Sequence, residues 1–326
     1  MSITWLGEDD VAGRIDMPTA IGVLESAFCD LAEGRAHNVP RQRARIPGAV
    51  LHQMSAGIGR LRVLGCKVYT TTRDGARFFV ALFDSHTAEP LAFLAADRLG
   101  RLRTGAASGL AVHRLARPDA TTVGLIGCGR QAETQLAAVA AVRPIETAKV
   151  FCRDAERRRA FAENMRRQLR LDVVPVDSPQ AAVDGVPIVV TITNSKTPVV
   201  TDAALRRGSP SGDVLICAVG SNWPQRSELE VATVERCTTV VCDQIAACRI
   251  EAGELIQAAK AGRFDWQRAI ELADVVAGNI DVDRSAGPIL FKSVGLALED
   301  VAVAAHVLRM PIDQFSTPHS GTTGAV

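Results

Sequence analysis

The chain of 326 residues has almost no net charge and no long apolar run, and both absences restrict what it can be. Its formal net charge of +1 at pH 7 argues against nucleic-acid binding through a broad basic field. No run of about 18 or more uninterrupted apolar residues occurs, so no membrane-spanning helix is predicted. The segment Met1–Trp5 lacks a basic stretch followed by an apolar core, so we expect no signal peptide and a cytoplasmic location.

The sequence also lacks paired cysteines. None of its eight cysteines belongs to a Cys-x-x-Cys pair, and no cluster of residues has the spacing of metal ligands. Most of the cysteines lie within apolar runs, as Cys217 does between Ile216 and Ala218. They are typical of small buried side chains in a reducing compartment, so neither a disulfide framework nor a metal site is predicted.

Hydrophobic residues make up 47% of the chain and charged residues 22%, which is a globular composition. The length exceeds what one compact unit usually holds, so we predict two domains. The first 112 residues contain a predicted helix, four β-like runs separated by polar stretches, and a second helix rich in small residues. These elements are Met17–Glu33, then Val50–Met54, Leu61–Thr72, Phe78–Asp84 and Pro90–Ala95, and finally Arg103–Leu115.

Residues 119–299 alternate between apolar strand-like runs and helical segments. The predicted strands are Thr121–Ile126, Ala148–Cys152, Leu171–Val176, Pro187–Thr193, Asp213–Val219 and Thr239–Cys242. Such alternation predicts parallel strands joined by crossover helices. The predicted fold class is therefore α/β, with a Rossmann-type doubly wound parallel sheet and a smaller α/β domain. After residue 300 a further helix is expected, followed by a polar tail at Ser316–Val326 that we expect to be disordered.

The sharpest local motif follows the first of these strands. Gly127, Gly129 and Ala132 form a G-x-G-x-x-A pattern at a strand-to-helix junction, which is the context that the motif requires. The first glycine permits the tight turn, the second lets the backbone approach a diphosphate, and the alanine allows close helix packing. We predict that this loop, with Arg130 and Gln131, binds a dinucleotide at the helix N-terminus. A glycine-rich turn that binds nothing is the alternative.

The end of the second strand bears on the choice of cofactor. NAD enzymes usually place an acidic residue there for the ribose 2′-hydroxyl, but this chain has Cys152 followed by Arg153. A missing carboxylate beside a guanidinium favours a 2′-phosphate and hence NADP(H). If the register differs by two residues, Asp154 provides the acidic group instead and NAD(H) is favoured.

Several separate segments resemble the ornithine cyclodeaminase/μ-crystallin family. They are Leu102–Ser108 (LRTGAAS), the Gly127–Gln131 loop, Ala218–Gly220 with the later Glu228-Leu229, Glu251–Glu254 (EAGE) and Phe291–Asp300 (FKSVGLALED). The resemblance covers about residues 5–310 in the same order. It implies a substrate-binding and dimerisation domain made of residues 1–118 and 300–326, with the Rossmann domain, residues 119–299, inserted between these two parts. Members of the family act on small α-amino, α-imino or α-keto acids.

The resemblance also implies a set of substrate-binding residues. Arg103 matches the arginine that holds the substrate carboxylate, and the planar guanidinium suits that role. Arg43 fits a second conserved pattern of the family, with Arg45 competing for the same role. Lys67 lies at the position of the family's active-site lysine, in an otherwise apolar strand. Surface charge, or an outward-facing strand lysine, is the alternative for these residues.

Two further positions concern the substrate. Met54 matches a methionine that lines the pocket, although core packing explains it equally well. Cyclodeaminases carry an aspartate where this chain has Asn222. Because an amide cannot act as a general base, this difference argues against ornithine cyclodeamination. His52 and His113 are acid–base candidates by residue type alone, with a structural histidine as the alternative.

The combined hypothesis is a homodimeric NAD(P)H-dependent reductase or dehydrogenase of small α-imino or α-keto acids, with Lys67 and Arg103 as its catalytic residues. Cyclic imines such as pyrroline- or piperideine-2-carboxylate are the favoured substrates. The expected cofactor contacts are Thr104, Gly127, Gly129, Arg130, Gln131, Cys152, Arg153, Thr191, Thr193, Val219 and Ser293. An ornithine cyclodeaminase that uses bound NAD, and a non-catalytic NADP(H)-binding protein, remain as alternative functions.

Overall fold

The computed structural model describes residues 3–208 and 213–309, and the strands of this part of the chain form two sheets. The first third of the chain folds into β1 (Thr4–Leu6), α1 (Glu8–Ala12), α2 (Met17–Ala32), β2 (Ala36–Ile46), β3 (Ala49–Ile58), β4 (Val63–Thr72), β5 (Gly75–Asp84), β6 (Pro90–Ala95) and α3 (Asp97–Leu115). Its six strands are ordered β1-β6-β5-β4-β3-β2. Strands β2 to β6 form an antiparallel meander, and β1 joins the edge parallel to β6.

The four β-like runs predicted in this region are confirmed as β3 to β6. Strands β1 and β2 were not predicted. Strand β2 was missed because its sequence is polar: its eleven residues include Arg41, Arg43 and Arg45. Strand β2 lies at the sheet edge, where a charged and proline-containing sequence is tolerated.

The second sheet has eight strands. Its elements are β7 (Thr122–Ile126), α4 (Ala132–Val142), β8 (Thr147–Phe151), α5 (Ala155–Leu169), β9 (Asp172–Pro175), α6 (Pro179–Val183), β10 (Ile188–Thr191), α7 (Asp202–Gly208), β11 (Leu215–Ala218), α8 (Val231–Arg236), β12 (Thr239–Cys242), α9 (Ile245–Glu251), α10 (Gly253–Lys260), β13 (Ala269–Glu271), α11 (Leu272–Val276) and β14 (Ile289–Lys292). The strand order is β13-β12-β14-β11-β10-β7-β8-β9, and every neighbouring pair is parallel. The predicted α/β class with a doubly wound sheet is confirmed.

All six strands predicted for this sheet are present, but β13 and β14 were missed. Strand β13 has only three residues, too few for a periodic pattern to stand out, and β14 overlaps the Phe291–Asp300 motif, which was noted as a family segment and not as a strand. Strands β7 and β10 are neighbours in space although five helices and strands, α4 to α6, separate them in sequence. The strand order reverses at this point, which is where open α/β sheets bind ligands beyond the carboxyl ends of their strands.

Helices connect the two sheets. Helix α3 packs closely on α4, because a Cβ at Gly105 would lie only 2.5 Å from the backbone oxygen of Thr134. The small residues of α3 allow this close approach. The last described helix, α12 (Ala297–Arg309), returns to the first sheet, where Val301 would meet a Cβ at Gly65 at 2.7 Å.

Residues 310–326, including the predicted polar tail, lie outside the described residues. None of the helices in residues 3–208 and 213–309 combines the length and hydrophobicity needed to span a membrane.

Candidate active site

A cavity of about 1120 Å³ lies between the carboxyl ends of the eight-stranded sheet and the inner face of the first sheet. Sites for single small molecules usually measure about 300–1,000 Å³, so this cavity has room for a dinucleotide together with a small acid. One wall is formed by the loops at the carboxyl ends of β7, β8, β10 and β11. The opposite wall carries cationic and aromatic side chains from β2, β3, β4, β5 and α3.

The glycine-rich loop follows β7 and forms the first wall. Gly127 has φ +117°, and a Cβ there would lie 2.3 Å from the backbone oxygen of Ile192, so only glycine fits the turn. A Cβ at Gly129 would meet nothing within 4 Å, so this glycine is not required by the protein's own packing. Gly129 lines the cavity just before α4, and open space at this point is what a diphosphate needs.

The loop after β8 adds charge to the same wall. Cys152, Arg153, Asp154 and Arg157 all line the cavity. The Asp154 carboxylate caps α5 by accepting a hydrogen bond from the backbone N–H of Arg157 at 3.0 Å. The Arg153 and Arg157 side chains form no ion pair within the described residues, and both are exposed beside the cavity. The loop therefore presents positive charge, while its carboxylate is engaged at a helix N-terminus.

Of the remaining residues expected at the cofactor, all but Thr191 line the cavity. Thr104, Arg130, Gln131, Thr193, Val219 and Ser293 line the cavity, with Arg130 ion-paired to Asp97. Thr191 does not line the cavity: it is fully buried, and its hydroxyl donates to Glu228 at 3.0 Å.

Glu228 was noted in the sequence only as part of a motif, yet it organises this wall. Its carboxylate also accepts hydrogen bonds from the backbone N–H groups of Thr193 at 2.7 Å and Gly220 at 2.8 Å. It thereby ties together the loops that follow β10 and β11. Burial raises the pKa of Glu228, and the nearby Lys292 ammonium opposes that rise.

Lys67 and Arg103 lie side by side in the opposite wall. The Lys67 ammonium donates to Asp300 at 2.7 Å, and the Arg103 guanidinium bonds to Glu299 at 2.6 Å and to Asp300 at 3.2 Å. Burial lowers the pKa of Lys67 to about 8, against the opposing effect of Asp300. Burial would also lower the pKa of Arg103, but Asp300 and Glu299 raise it above its usual value. At neutral pH both side chains are cations beside the cavity.

A third cation, Arg41, was not among the predicted site residues. The pairing of β2 with β3 shifts between Val39 and Gln42, which marks a β-bulge at Pro40-Arg41. Arg41 lines the cavity, and its guanidinium pairs with the buried Glu251 and donates to the carbonyl of Val294 at 3.0 Å. Counting alternate residues along β2 does not distinguish Arg41 from Arg43 and Arg45, because residues two apart in a regular strand all face the same side.

Three residues that were predicted to bind the substrate do not line the cavity: Arg43, Arg45 and Met54. Arg43 is not part of the lining: it pairs with Glu251 and donates to the carbonyl of Asn222 at 3.0 Å. Arg45 is exposed, with its guanidinium 5.2 Å from the ring centre of Trp223. Met54 is buried in the core of the first sheet and does not line the cavity.

Aromatic rings cover the cavity near Lys67. The His52 ring stacks on Tyr69 with centroids 4.1 Å apart, and Tyr69 stacks on Phe78 at 4.9 Å. His52 Nδ1 accepts from Arg43 at 3.2 Å, and burial lowers the pKa of His52 to about 4. His52 is therefore neutral at neutral pH. His113, the other candidate histidine, is exposed on α3 and does not line the cavity.

Asn222 completes the cavity on the side of Trp223, and both residues line it. Asn222 thus lies within the candidate site, at the position where the sequence lacks the cyclodeaminase aspartate. An amide at this position can donate and accept hydrogen bonds, but it carries no charge to pair with an ammonium group.

Comparisons with known proteins agree with this arrangement. The ornithine cyclodeaminase/mu-crystallin family model matches residues 5–310. The chain belongs to that family. The resemblance seen in the sequence is therefore confirmed, over almost the same residues.

Relatives within the ornithine cyclodeaminase/mu-crystallin family include two named reductases. A Delta(1)-pyrroline-2-carboxylate reductase of Bacillus cereus is 34% identical over 263 residues, covering 78% of this chain and 79% of the relative. A Delta(1)-pyrroline-2-carboxylate/Delta(1)-piperideine-2-carboxylate reductase of Azospirillum brasilense is 33% identical over 302 residues, covering 90% and 91%. The solved structure of Thermococcus litoralis Delta(1)-pyrroline-2-carboxylate reductase with NADH and L-proline superposes with a TM-score of 0.88 at 31% identity, covering 94% of this chain and 96% of that one.

Proposed function

We propose that the protein is an NAD(P)H-dependent reductase of small α-imino acids. The five- and six-membered cyclic imines, Δ1-pyrroline-2-carboxylate and Δ1-piperideine-2-carboxylate, are the favoured substrates, followed by acyclic imino and keto acids. One observation carries the proposal: Arg41, Lys67 and Arg103 line the same cavity as the glycine-rich loop of a doubly wound sheet. The reductase names of the relatives from Bacillus cereus and Azospirillum brasilense support the same substrates.

The fit of the first wall to a dinucleotide supports the cofactor. The open space at Gly129 and the N-terminus of α4 suit a diphosphate. We further propose NADP(H) over NAD(H), because Arg153 and Arg157 line the cavity while the Asp154 carboxylate caps α5. When bound, a reduced nicotinamide supplies hydride to the carbon of the C=N bond.

The chain's own residues bind and orient the imino acid. The guanidinium groups of Arg41 and Arg103 hold the carboxylate, for which their planar geometry is suited. The Lys67 ammonium donates a proton to the imine nitrogen. Because its pKa is about 8, Lys67 is largely protonated at neutral pH and still gives up its proton readily. The neutral rings of His52, Tyr69 and Phe78 cover the apolar part of a cyclic substrate and exclude water.

Turnover of a substrate panel tests the proposal. Purified protein is mixed with NADPH or NADH and with the two cyclic imines, pyruvate plus ammonia, or pyruvate plus methylamine, and the loss of reduced-nicotinamide absorbance is followed. We expect the fastest turnover with a cyclic imine and NADPH. No turnover with any of these compounds, together with ammonia release from ornithine in the presence of NAD⁺, would contradict the proposal and favour a cyclodeaminase.

We also propose that the protein is a homodimer that pairs through the outer face of the first sheet. Large apolar side chains are exposed there, with Trp5 62%, Leu64 53% and Phe79 41% accessible. Contiguous exposed apolar surface of this kind usually marks an interface. Light scattering after size exclusion is expected to give twice the chain mass, and a Leu64→Glu/Phe79→Glu variant is expected to be monomeric. A monomeric wild type would contradict this proposal.

A further inference from the structure

The carboxylate of Asp300 bonds to both Lys67 and Arg103, the two cations that lie side by side at the cavity. Oδ1 of Asp300 accepts hydrogen bonds from Lys67 Nζ at 2.7 Å and from Arg103 Nε at 3.2 Å. Asp300 is fully buried and does not line the cavity, so it reaches a substrate only through these two partners. The neighbouring Glu299 is equally buried, but of the two cations it bonds only to Arg103, at 2.6 Å.

Lys67 depends on this contact for its charge. Its side chain is almost completely buried, and a Cβ on Gly100 of α3 would lie 3.1 Å from its Nζ. A lysine buried without a partner titrates at about pH 5–6 and is neutral at neutral pH. Asp300 from α12 is the anion bonded to Lys67, whereas Arg103 from α3 and Arg41 from β2 both disfavour its charged form.

The other groups around Lys67 do not replace Asp300. Tyr69 lies on the same strand with its ring centre 6.0 Å from Nζ, and burial raises the pKa of its phenol, which is therefore neutral. The carboxylates of Glu299 and Glu251 are occupied by Arg103 and by the arginines of β2.

We propose that Asp300 is a positioning residue, which holds Lys67 protonated and directed at the imine nitrogen while fixing Arg103 beside it for the carboxylate. The inference rests on the proposed reductase function. In the step concerned, hydride from the reduced cofactor forms the new C–H bond and the C=N π pair moves to nitrogen. The Lys67 N–H bond breaks as the substrate N–H bond forms. Lys67 is left as a neutral amine beside Asp300 and regains its proton from solvent.

The test compares Asp300→Asn with Glu299→Gln. Each variant replaces a buried carboxylate of α12 with an amide of nearly the same shape, and each removes one anion from Arg103. Only the first removes the anion from Lys67. We expect kcat/KM of the wild-type enzyme to fall above about pH 8 as Lys67 loses its proton. In Asp300→Asn this limb should move down by about one pH unit, since an ionic partner at this distance changes a pKa by about 1–3.

Asp300→Asn and Glu299→Gln should also differ in how their kinetic parameters change. At pH 8 the protonated fraction of Lys67 falls from about one half to about one tenth in Asp300→Asn, so kcat/KM at pH 8 should fall about fivefold. In Glu299→Gln the basic limb should stay within about 0.3 pH units of the wild type, and any change should appear as a higher KM through Arg103.

A second measurement needs no turnover. The chain contains five lysines, so Lys67 can be resolved by NMR in protein with ¹³C-labelled lysine and assigned with Lys67→Met. We expect a titration midpoint near 8 in the wild type, lower by about one pH unit in Asp300→Asn and unchanged in Glu299→Gln. This titration separates the two proposals: without turnover of any imine the reductase function fails, whereas the Lys67 midpoint still decides the role of Asp300.

Two results would overturn the role of Asp300. One is an equal shift, or no shift, of the Lys67 midpoint in the two amide variants. The other is a wild-type midpoint of about 5–6, the value for a buried lysine without an effective anionic partner. The second result decides the matter even if Asp300→Asn does not fold.

Discussion

The two walls of the cavity are built in different ways. The nucleotide wall is formed by loops that follow strands, and its main segment runs through a few consecutive residues from Gly127 to Gln131. The cationic wall is made of side chains from separate elements, and its key contact, between Lys67 and Asp300, spans 233 residues of sequence. A local motif therefore specifies the first wall, whereas the second exists only once distant parts of the chain have packed together.

The walls also differ in what substitution should cost. In the nucleotide wall, Gly129 has open space beside it and can be altered without disturbing the fold, whereas Gly127 cannot. The cations of the other wall are buried against carboxylates, so removing one of them disturbs the fold as well as the chemistry unless its carboxylate keeps a second cation, as Glu251 does. Matched pairs of variants can separate these effects.

The largest effect is expected for the glycine pair. Gly127→Ala forces a Cβ against the Ile192 carbonyl at positive φ, so it should lower the thermal unfolding midpoint by about 5–10 °C and abolish nucleotide binding. Gly129→Ala should keep the midpoint within about 1 °C yet weaken NADPH binding at least about tenfold, because its Cβ stands where the diphosphate approaches. Calorimetry and nucleotide fluorescence measure both. Unchanged NADPH affinity in Gly129→Ala would show that no diphosphate binds there.

The arginine pair should have the next largest effect. Arg41→Met removes a cation from the cavity but leaves Glu251 paired with Arg43, so the protein should fold and KM for the imino acid should rise about 100-fold. Arg45→Met, on the exposed part of the same strand, should change KM less than about twofold. Steady-state kinetics at pH 7 test both variants. A larger effect from Arg45→Met would favour Arg45, the competing candidate from the sequence, over the arginine that lines the cavity.

A smaller and more selective effect is expected at α5. Arg157→Ser should weaken NADPH binding about tenfold while changing NADH binding less than about twofold, because only the former carries a 2′-phosphate. Arg159→Ser removes the same charge from an exposed position of α5 outside the cavity and should leave both affinities unchanged. Titration of each variant with both nucleotides is the measurement. Equal losses for NADPH and NADH would contradict the preference for NADP(H).

The smallest effect is expected at His52. Its pKa of about 4 lies below the usual value, so the ring stays neutral as pH falls through 6.5 and gives no limb in kcat/KM between pH 5.5 and 7.5. His52→Gln keeps a polar side chain and should lower kcat/KM less than about fivefold. If the wild type shows an acid limb near pH 6.5 that the variant lacks, His52 acts as an acid–base group after all.

The contrast between the walls explains what the sequence could predict. The glycine loop, six of the eight strands of the parallel sheet, and the positions of Lys67 and Arg103 beside the cavity follow from local motifs and the family resemblance. Arg41 could not be chosen over Arg43 and Arg45, because the decision depends on a bulge that no local pattern announces. Glu228 and Asp300 were noted in the sequence only as parts of family motifs. Their contacts could not be predicted, because their partners lie far away in sequence.

The distance between Lys67 and Asp300 has a consequence for synthesis of the protein. Helix α12 begins at Ala297, so a nascent chain can form most of both sheets before the anions that neutralise Lys67 and Arg103 have left the ribosome. Until then these cations must stay hydrated, because burying them alone is too costly. The inner face of the first sheet can therefore close only after α12 has been synthesised, and a chain truncated before this helix would be left with an open first sheet.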